Sequence, residues 1–179
     1  MPITALRDAL PDYAFDQRRN LDALVAETLL SDQQKWGCLL ACAYATSNPT
    51  LIRHMEGAVA PLLSENARNG AKAAATLMAM NTVYYGALNL LNNHDYRGAP
   101  ANLSMTALSQ TDVDKVDFEL WAFAISAMSN CSACLNVHEA ELHKRGMTLE
   151  RVQAALRIAA TVAGINTALR IKQATAASV

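Results

Sequence analysis

The residues that could do chemistry gather between Glu119 and His138. Cys131 and Cys134 stand three apart, His138 follows Cys134 by four, and Glu119 precedes Cys131 by twelve. From position 120 to 138 there is no Asp, Glu, Lys or Arg. Glu119, two thiols and one imidazole are therefore the strongly ionisable groups of an otherwise apolar stretch. A thiol in the first turn of a helix faces unpaired N–H groups and the positive end of the helix dipole. Both favour the thiolate, which is the nucleophile. Two cysteines three apart in that place can close a disulfide. Asn130 is expected to cap a helix that starts at Cys131. His138 is then one turn beyond Cys134 on the same face, where a neutral imidazole can take the thiol proton.

Glu119 can join this group only if the chain turns back. On one straight helix Glu119 and Cys131 would be about 18 Å apart, too far to cooperate. With a reversal near Ser129-Asn130, Glu119 lies about 15 Å back from the turn and His138 about 12 Å beyond it, at similar heights on an antiparallel pair. A carboxylate among Phe118, Leu120 and Trp121 needs a buried partner, and His138 is the natural one. The expected relay runs from Glu119 to His138 to Cys134, with Cys131 as the second thiol.

The elements that must hold these groups all read as helix. Ala, Leu, Gln, Glu and Met are abundant, and no alternating run of β-branched and aromatic residues supports a sheet. Ser31 with Gln34 resembles a capping box ahead of Trp36–Ala45. Asn48-Pro49 is a cap followed by proline at the first helical position. Ser64 can open a long helix through Leu91. Thr111 with Asp114 precedes a helix over about 112–129, and Thr148 opens the last one. Gly146 after Lys144-Arg145 is a stop signal. Residues 92–100 read as a linker between an N-terminal half (about 1–95, without the Cys pair) and a C-terminal half (about 100–179, with it). A shift of 48 superimposes Ala79-Met80 on Ala127-Met128 and hints that the halves are related. It places Val83 and Gly86 opposite Cys131 and Cys134.

Composition bounds the function. The 179 residues suit a single domain, and 52% apolar with 17% charged residues can build a core. A net charge of −1 without a basic block gives no electrostatic reason to expect nucleic acid or an anionic membrane. The charge-free stretch from Leu120 to Val137 is broken by Ser126, Ser129, Asn130, Ser132 and Asn136, so it reads as buried core rather than a membrane span. The first residues lack the features of a secretory signal, and four cysteines are few for a secreted disulfide framework. A cytoplasmic setting is expected, where paired cysteines are usually catalytic or metal-binding.

With Glu119-Leu-Trp-x-Phe-Ala, Cys131-Ser-x-Cys134 and His138 in register, the sequence resembles the alkylhydroperoxidase AhpD family, within the carboxymuconolactone decarboxylase-like superfamily. Leu10-Pro11-Asp12-Tyr13-Ala14, Trp36-Gly37 and Met78–Tyr84 extend the likeness over nearly the whole chain. The resemblance implies an all-α AhpD-like fold of two related helical halves, assembled as a homotrimer. It implies an antioxidant peroxidase that also reduces the peroxiredoxin AhpC. No bound cofactor is implied; a dihydrolipoamide-type dithiol, carried for instance on a lipoyl-bearing acyltransferase, is the reductant. By the same resemblance Cys134 meets the peroxide and becomes sulfenic acid, Cys131 is proton donor and resolving partner, and Glu119 and His138 are the relay. One position departs from the pattern: family members commonly carry histidine immediately before the second cysteine, and here that residue is Ala133. Alanine supplies neither a hydrogen bond nor a charge, which weakens the support for thiolate and brings forward an alternative, a dithiol adaptor for AhpC with little peroxidase activity.

Other readings stand beside these. Cys131, Cys134 and His138, with Glu119 or His143, could be zinc ligands, although the second ligand pair of a closed structural site is missing. A non-redox, decarboxylase-like enzyme would leave the paired cysteines without a purpose. Cys38 and Cys42, four apart on one helix, read as packed core thiols, too distant for a relaxed disulfide. Trp36, Trp121, Tyr84, Tyr85 and Met78–Met80 read as core or subunit contact, and His54, His94 and His143 as surface.

Overall fold

A computed structural model describes residues 3–176. Among them every regular element is a helix. In chain order these are α1 (Thr4–Ala9), a 3-10 turn (Asp12–Ala14), α2 (Phe15–Ala26), α3 (Asp32–Ala45), α4 (Pro49–Val59), α5 (Glu65–Leu90), α6 (Asp95–Gly98), α7 (Ala107–Gln110), α8 (Lys115–Met128), α9 (Ser132–Lys144) and α10 (Leu149–Ala176). The all-α expectation is met.

The caps explain most of the boundaries. The Ser31 hydroxyl accepts from the Gln34 backbone N–H, and the Gln34 side chain accepts from the Ser31 N–H, a complete capping box for α3. Asn48 caps α4 with Pro49 in its first turn, and Ser64 caps α5. The Thr148 carbonyl accepts the Val152 N–H at the start of α10. At the end of α9, Gly146 has φ +82°, its N–H bonds the His143 carbonyl, and the Met147 N–H reaches back to Leu142. This is a Schellman stop, which needs the left-handed conformation that glycine adopts without strain. Two expectations are corrected. Asp114, not Thr111, caps α8, because its carboxylate reaches the Val116 N–H. The stretch 92–100 is exposed as a linker should be, but folds into the short α6.

Two central helices organise the core. α3 is buried without a break from Gln34 to Ala43, and α8 from Asp117 to Ser126. A helix apolar all round must be enclosed by others. α3 packs on α4, α5, α8 and α10, while α8 packs on α5, α9 and α10. The last helix is long and apolar enough to cross a membrane by length and composition. Here Val152, Ala155, Ile158, Val162 and Ile165 are buried in the core instead.

The order of elements repeats with an offset of 83, not 48. Helix α3 (Asp32–Ala45) maps on α8 (Lys115–Met128), end for end. The left-handed residues Ser47 (φ 54°) and Asn130 (φ 53°) coincide, as do the caps Asn48 and Cys131. On this register Asn48, Leu51 and Met55 stand where the second half carries Cys131, Cys134 and His138.

Trp121 locks the two central helices together. Its indole is fully buried, and its Nε1–H donates to the Gln34 carbonyl at 3.2 Å. Gly37 lets it in: a Cβ there would lie 2.2 Å from the Trp121 ring. The buried Asp117 is hydrogen-bonded by the Gln33 and Gln34 side-chain amides at 2.7 and 2.9 Å, so burial leaves it satisfied. Gly37→Ala should cost about 1–3 kcal/mol, because neither helix backbone nor indole can retreat easily. Urea unfolding monitored by circular dichroism will show it; an unchanged midpoint would mean that the helices are free to separate here.

Candidate active site

The Cys pair sits at a sharp reversal that one residue serves twice. α8 ends with Asn130 in the left-handed region, where asparagine is tolerated. The Asn130 N–H bonds the Ala127 carbonyl and the Cys131 N–H bonds that of Ser126, at 3.2 and 3.1 Å. The Cys131 backbone thus closes α8, and its side chain caps α9: the Cys134 N–H donates to Cys131 Sγ at 3.3 Å. The cap is Cys131 itself, not Asn130 as the sequence led us to expect. Asn130 is the pivot.

Cys131 and Cys134 are joined as a disulfide, with Cα atoms 5.3 Å apart. Both are buried. The reversal brings α9 back along α8, and His138 Nδ1 meets Glu119 Oε2 at 2.6 Å. Their side chains are 17% and 10% exposed, so solvent scarcely screens the contact. A carboxylate only accepts, which puts the proton on Nδ1 and leaves Nε2 as the second ring nitrogen. All four expected site residues therefore lie within one helical hairpin.

Cys134 opens onto a cavity of about 340 Å³. Ala133, Cys134, Val137 and His138 form one wall; Met78, Asn81 and Tyr85 of α5 form another, closed by Met105. The Tyr85 hydroxyl is 3.6 Å from Met105 Sδ. The chamber is mostly apolar, and the Asn81 backbone carbonyl lies 3.9 Å from Cys134 Sγ. Cys131 faces a separate hollow of about 380 Å³, lined by Val83, Gly86, Leu90 and Ser129 among others. Val83 and Gly86 are thus neighbours of Cys131 rather than its counterparts. Asn89 Nδ2 donates to Ser132 Oγ at 2.8 Å and ties α5 to the start of α9.

Met78, Asn81 and Tyr85 were not picked out as site residues from sequence. Their spacing of three and four marks one helical face, but nothing in it names what the face meets. The remaining candidates separate cleanly. Cys38 and Cys42 are buried free thiols, and a hydrogen bond with Cys42, then burial, pushes the Cys38 thiol well above its usual range. His143 is exposed, between Glu139 and the Met147 carbonyl, and His54 is half-buried. Among the described residues no group of three or more His, Cys, Asp or Glu is placed to hold a metal ion.

Comparison with known proteins now bears on this geometry. The carboxymuconolactone decarboxylase family model matches residues 95–177, the part that contains the hairpin. A protein of Hyphomonas neptunium described as alkyl hydroperoxide reductase AhpD is 47% identical over 177 residues, covering 99% of this chain and 97% of its own. Proteins of the same description from Maricaulis maris and Streptomyces coelicolor are 47% and 42% identical, over 92% and 94% of this chain and 95% of each of theirs. The chain belongs to the AhpD family. Within this AhpD-family chain, the hairpin of α8 and α9 holds the expected catalytic quartet, and α5 supplies the opposite wall.

The Glu119–His138 contact should be a strong one. A double-mutant cycle with Glu119→Gln and His138→Ala is expected to give a coupling of about 1 kcal/mol or more in unfolding free energy. His138→Ala alone should cost about 1–3 kcal/mol, since it leaves a buried acceptor unpaired. Additive effects in the cycle would show that the two groups do not support each other.

Proposed function

We propose that this chain is a thiol-dependent alkyl hydroperoxide reductase of antioxidant defence, working through a dithiol/disulfide cycle of Cys131 and Cys134. The description shared by its AhpD relatives supports peroxide reduction. The observation that carries the mechanism is the Cys131–Cys134 pair at the start of α9, with Cys134 open to an apolar cavity beside a buried His138–Glu119 pair.

In the cycle the Cys134 thiolate attacks the distal oxygen of the hydroperoxide. The O–O bond breaks, Cys134 becomes a sulfenic acid, and the alkoxide leaves as an alcohol with a proton from the Cys131 thiol. His138, oriented by Glu119, takes the Cys134 proton beforehand. The Cys131 thiolate then attacks Cys134 sulfur, hydroxide leaves as water with the proton held on His138, and the disulfide closes. A dihydrolipoamide-type dithiol, free or on a lipoyl-bearing acyltransferase, restores both thiols by exchange. Attack at Cys134 through the cavity would release Cys131 as the leaving thiolate. Its sulfur already accepts an N–H at the helix start, which suits a departing negative charge. No bound cofactor enters the cycle. A cytoplasmic homotrimer acting beside an AhpC-type peroxiredoxin completes the proposal.

A second reading rests on Ala133. This wall of the cavity offers Cys134 only a methyl group where AhpD proteins commonly place an imidazole. A dithiol adaptor that passes electrons from a lipoyl donor to AhpC, with little peroxide turnover of its own, uses the same cysteines and needs less acid–base help.

Peroxide consumption with dihydrolipoamide as donor, on the parent chain and on Cys134→Ser, separates the two. Turnover lost on substitution supports the reductase. A silent parent whose disulfide is still reducible by dithiothreitol, and which recharges AhpC, supports the adaptor. Neither turnover nor a reversible disulfide would end the redox proposal. Ala133→His is expected to raise kcat/KM for an alkyl hydroperoxide by roughly tenfold or more; an unchanged value would remove Ala133 from the argument.

A further inference from the structure

The chamber beside Cys134 is larger than the smallest peroxide needs. Its volume is about 340 Å³. Pockets that hold small organic ligands start at about 300 Å³. Hydrogen peroxide is little larger than water, whose share of the liquid is about 30 Å³. It would leave most of the chamber empty. Met78, Tyr85, Met105, Ala133 and Val137 offer apolar surface for the rest, which suits the organic part of a hydroperoxide.

The walls are not built alike. Met78 and Tyr85 stand on α5, and Ala133 and Val137 on α9. Met78 is fully buried, and Tyr85 packs against the core. Met105 is the one lining residue that comes from outside a helix, from the stretch 99–106 between α6 and α7. Its neighbours Leu103, Ser104 and Thr106 are exposed, whereas Met105 is half-buried against the cavity. Ala107 then packs on the core where α7 begins and anchors this end of the stretch. The Tyr85 hydroxyl donates to Met105 Sδ at 3.6 Å and holds the side chain over the chamber. A thioether accepts weakly, but it is unbranched and polarisable and adapts its shape to an apolar neighbour.

We propose that Met105, held by Tyr85, is a specificity-determining residue that closes the Cys134 chamber around the organic group of a hydroperoxide and so favours organic hydroperoxides over hydrogen peroxide. The inference rests on the peroxide reduction proposed above and adds the residue that reads the apolar part of the substrate. Each methylene buried against such a wall strengthens binding by roughly fourfold. Hydrogen peroxide has no carbon to bury and gains nothing from this contact. The two substrates therefore respond differently to loss of the Met105 side chain, whereas damage to the thiols or to the fold slows both.

The test is stoichiometric oxidation of the reduced full-length protein by cumene hydroperoxide and by hydrogen peroxide, followed as loss of free thiols. In each reaction the two thiols become the disulfide, and the peroxide is reduced to an alcohol and water or to two waters. No external donor takes part, so the result does not depend on recharging. The readout is the ratio of the second-order rate constants, cumene hydroperoxide over hydrogen peroxide. Met105→Ala is expected to lower this ratio by about fivefold or more. Tyr85→Phe keeps the ring and frees the sulfur, and is expected to lower it by about threefold. Met105→Leu keeps the apolar volume and should stay within about twofold of the parent. A ratio for Met105→Ala that stays in that twofold band, or rises, would overturn the role of Met105. An unchanged ratio for Tyr85→Phe would overturn the part given to Tyr85. If the alanine variant does not fold, Met105→Gln, similar in length but polar, decides by the same limits. A parent whose thiols neither peroxide oxidises would overturn the reductase proposal itself, and the inference with it.

Discussion

A carboxylate within one of the two most enclosed helices must be answered from another helix. Glu119 lies between Phe118 and Leu120, all three buried within α8. Its partner cannot come from its own helix at this distance in sequence. It comes from His138, nineteen residues on, and that single contact at 2.6 Å requires α9 to return along α8. The rest of the site follows from that return. The reversal has to be tight, so Asn130 takes the left-handed conformation, and Cys131 ends one helix with its amide while starting the next with its sulfur. Cys134 then falls in the first turn of α9, on the side that faces α5.

The same economy explains why the two cysteines differ although they are three residues apart. Cys131 is fixed by hydrogen bonds at both its backbone and its sulfur, and borders an outer hollow. Cys134 makes no such cap and borders the chamber that holds His138 and Asn81. One sulfur accepts an N–H at the helix start; the other borders the cavity. The first half of the chain shows the contrast. On the register of 83, Asn48 caps α4 in the place of Cys131, and its Nδ2 donates to Asn166 Oδ1 at 3.0 Å. Leu51 and Met55 fill the places of Cys134 and His138 and are fully buried. A similar helical arrangement serves there as core.

Much of the fold and of the site was legible in the residues. Ser31 with Gln34, Asn48-Pro49, Ser64 and Gly146 mark helix ends through local hydrogen bonds, and such signals need only a few neighbouring residues. Glu119, Cys131, Cys134 and His138 stood out because they interrupt an apolar stretch with ionisable groups at helical spacing. The reversal could be inferred because a buried carboxylate without it would have no partner. The local signals failed where two candidates competed. Asp114 displaced Thr111 because its carboxylate reaches the Val116 N–H, and Cys131 displaced Asn130 because asparagine was needed for the turn. The shift of 48 rested on two matched residues, whereas the shift of 83 rests on helix ends, caps and φ values that similarity of residues does not reveal.

The sequence by itself determined that this protein is helical, where most helices begin and end, and which four side chains belong to one hairpin. Those follow from interactions within a turn or two, or from the need of one charge for one partner. The tertiary structure alone decided what faces that hairpin. Met78, Asn81 and Tyr85 lie some fifty residues away in sequence, on a face of α5 whose composition suits ordinary core. They become the wall of a chamber only because α5 packs across both α8 and α9. Contacts of that kind depend on how whole helices pack, set by Trp121 in the notch at Gly37 and by the turn at Asn130, and no local pattern of residues encodes them.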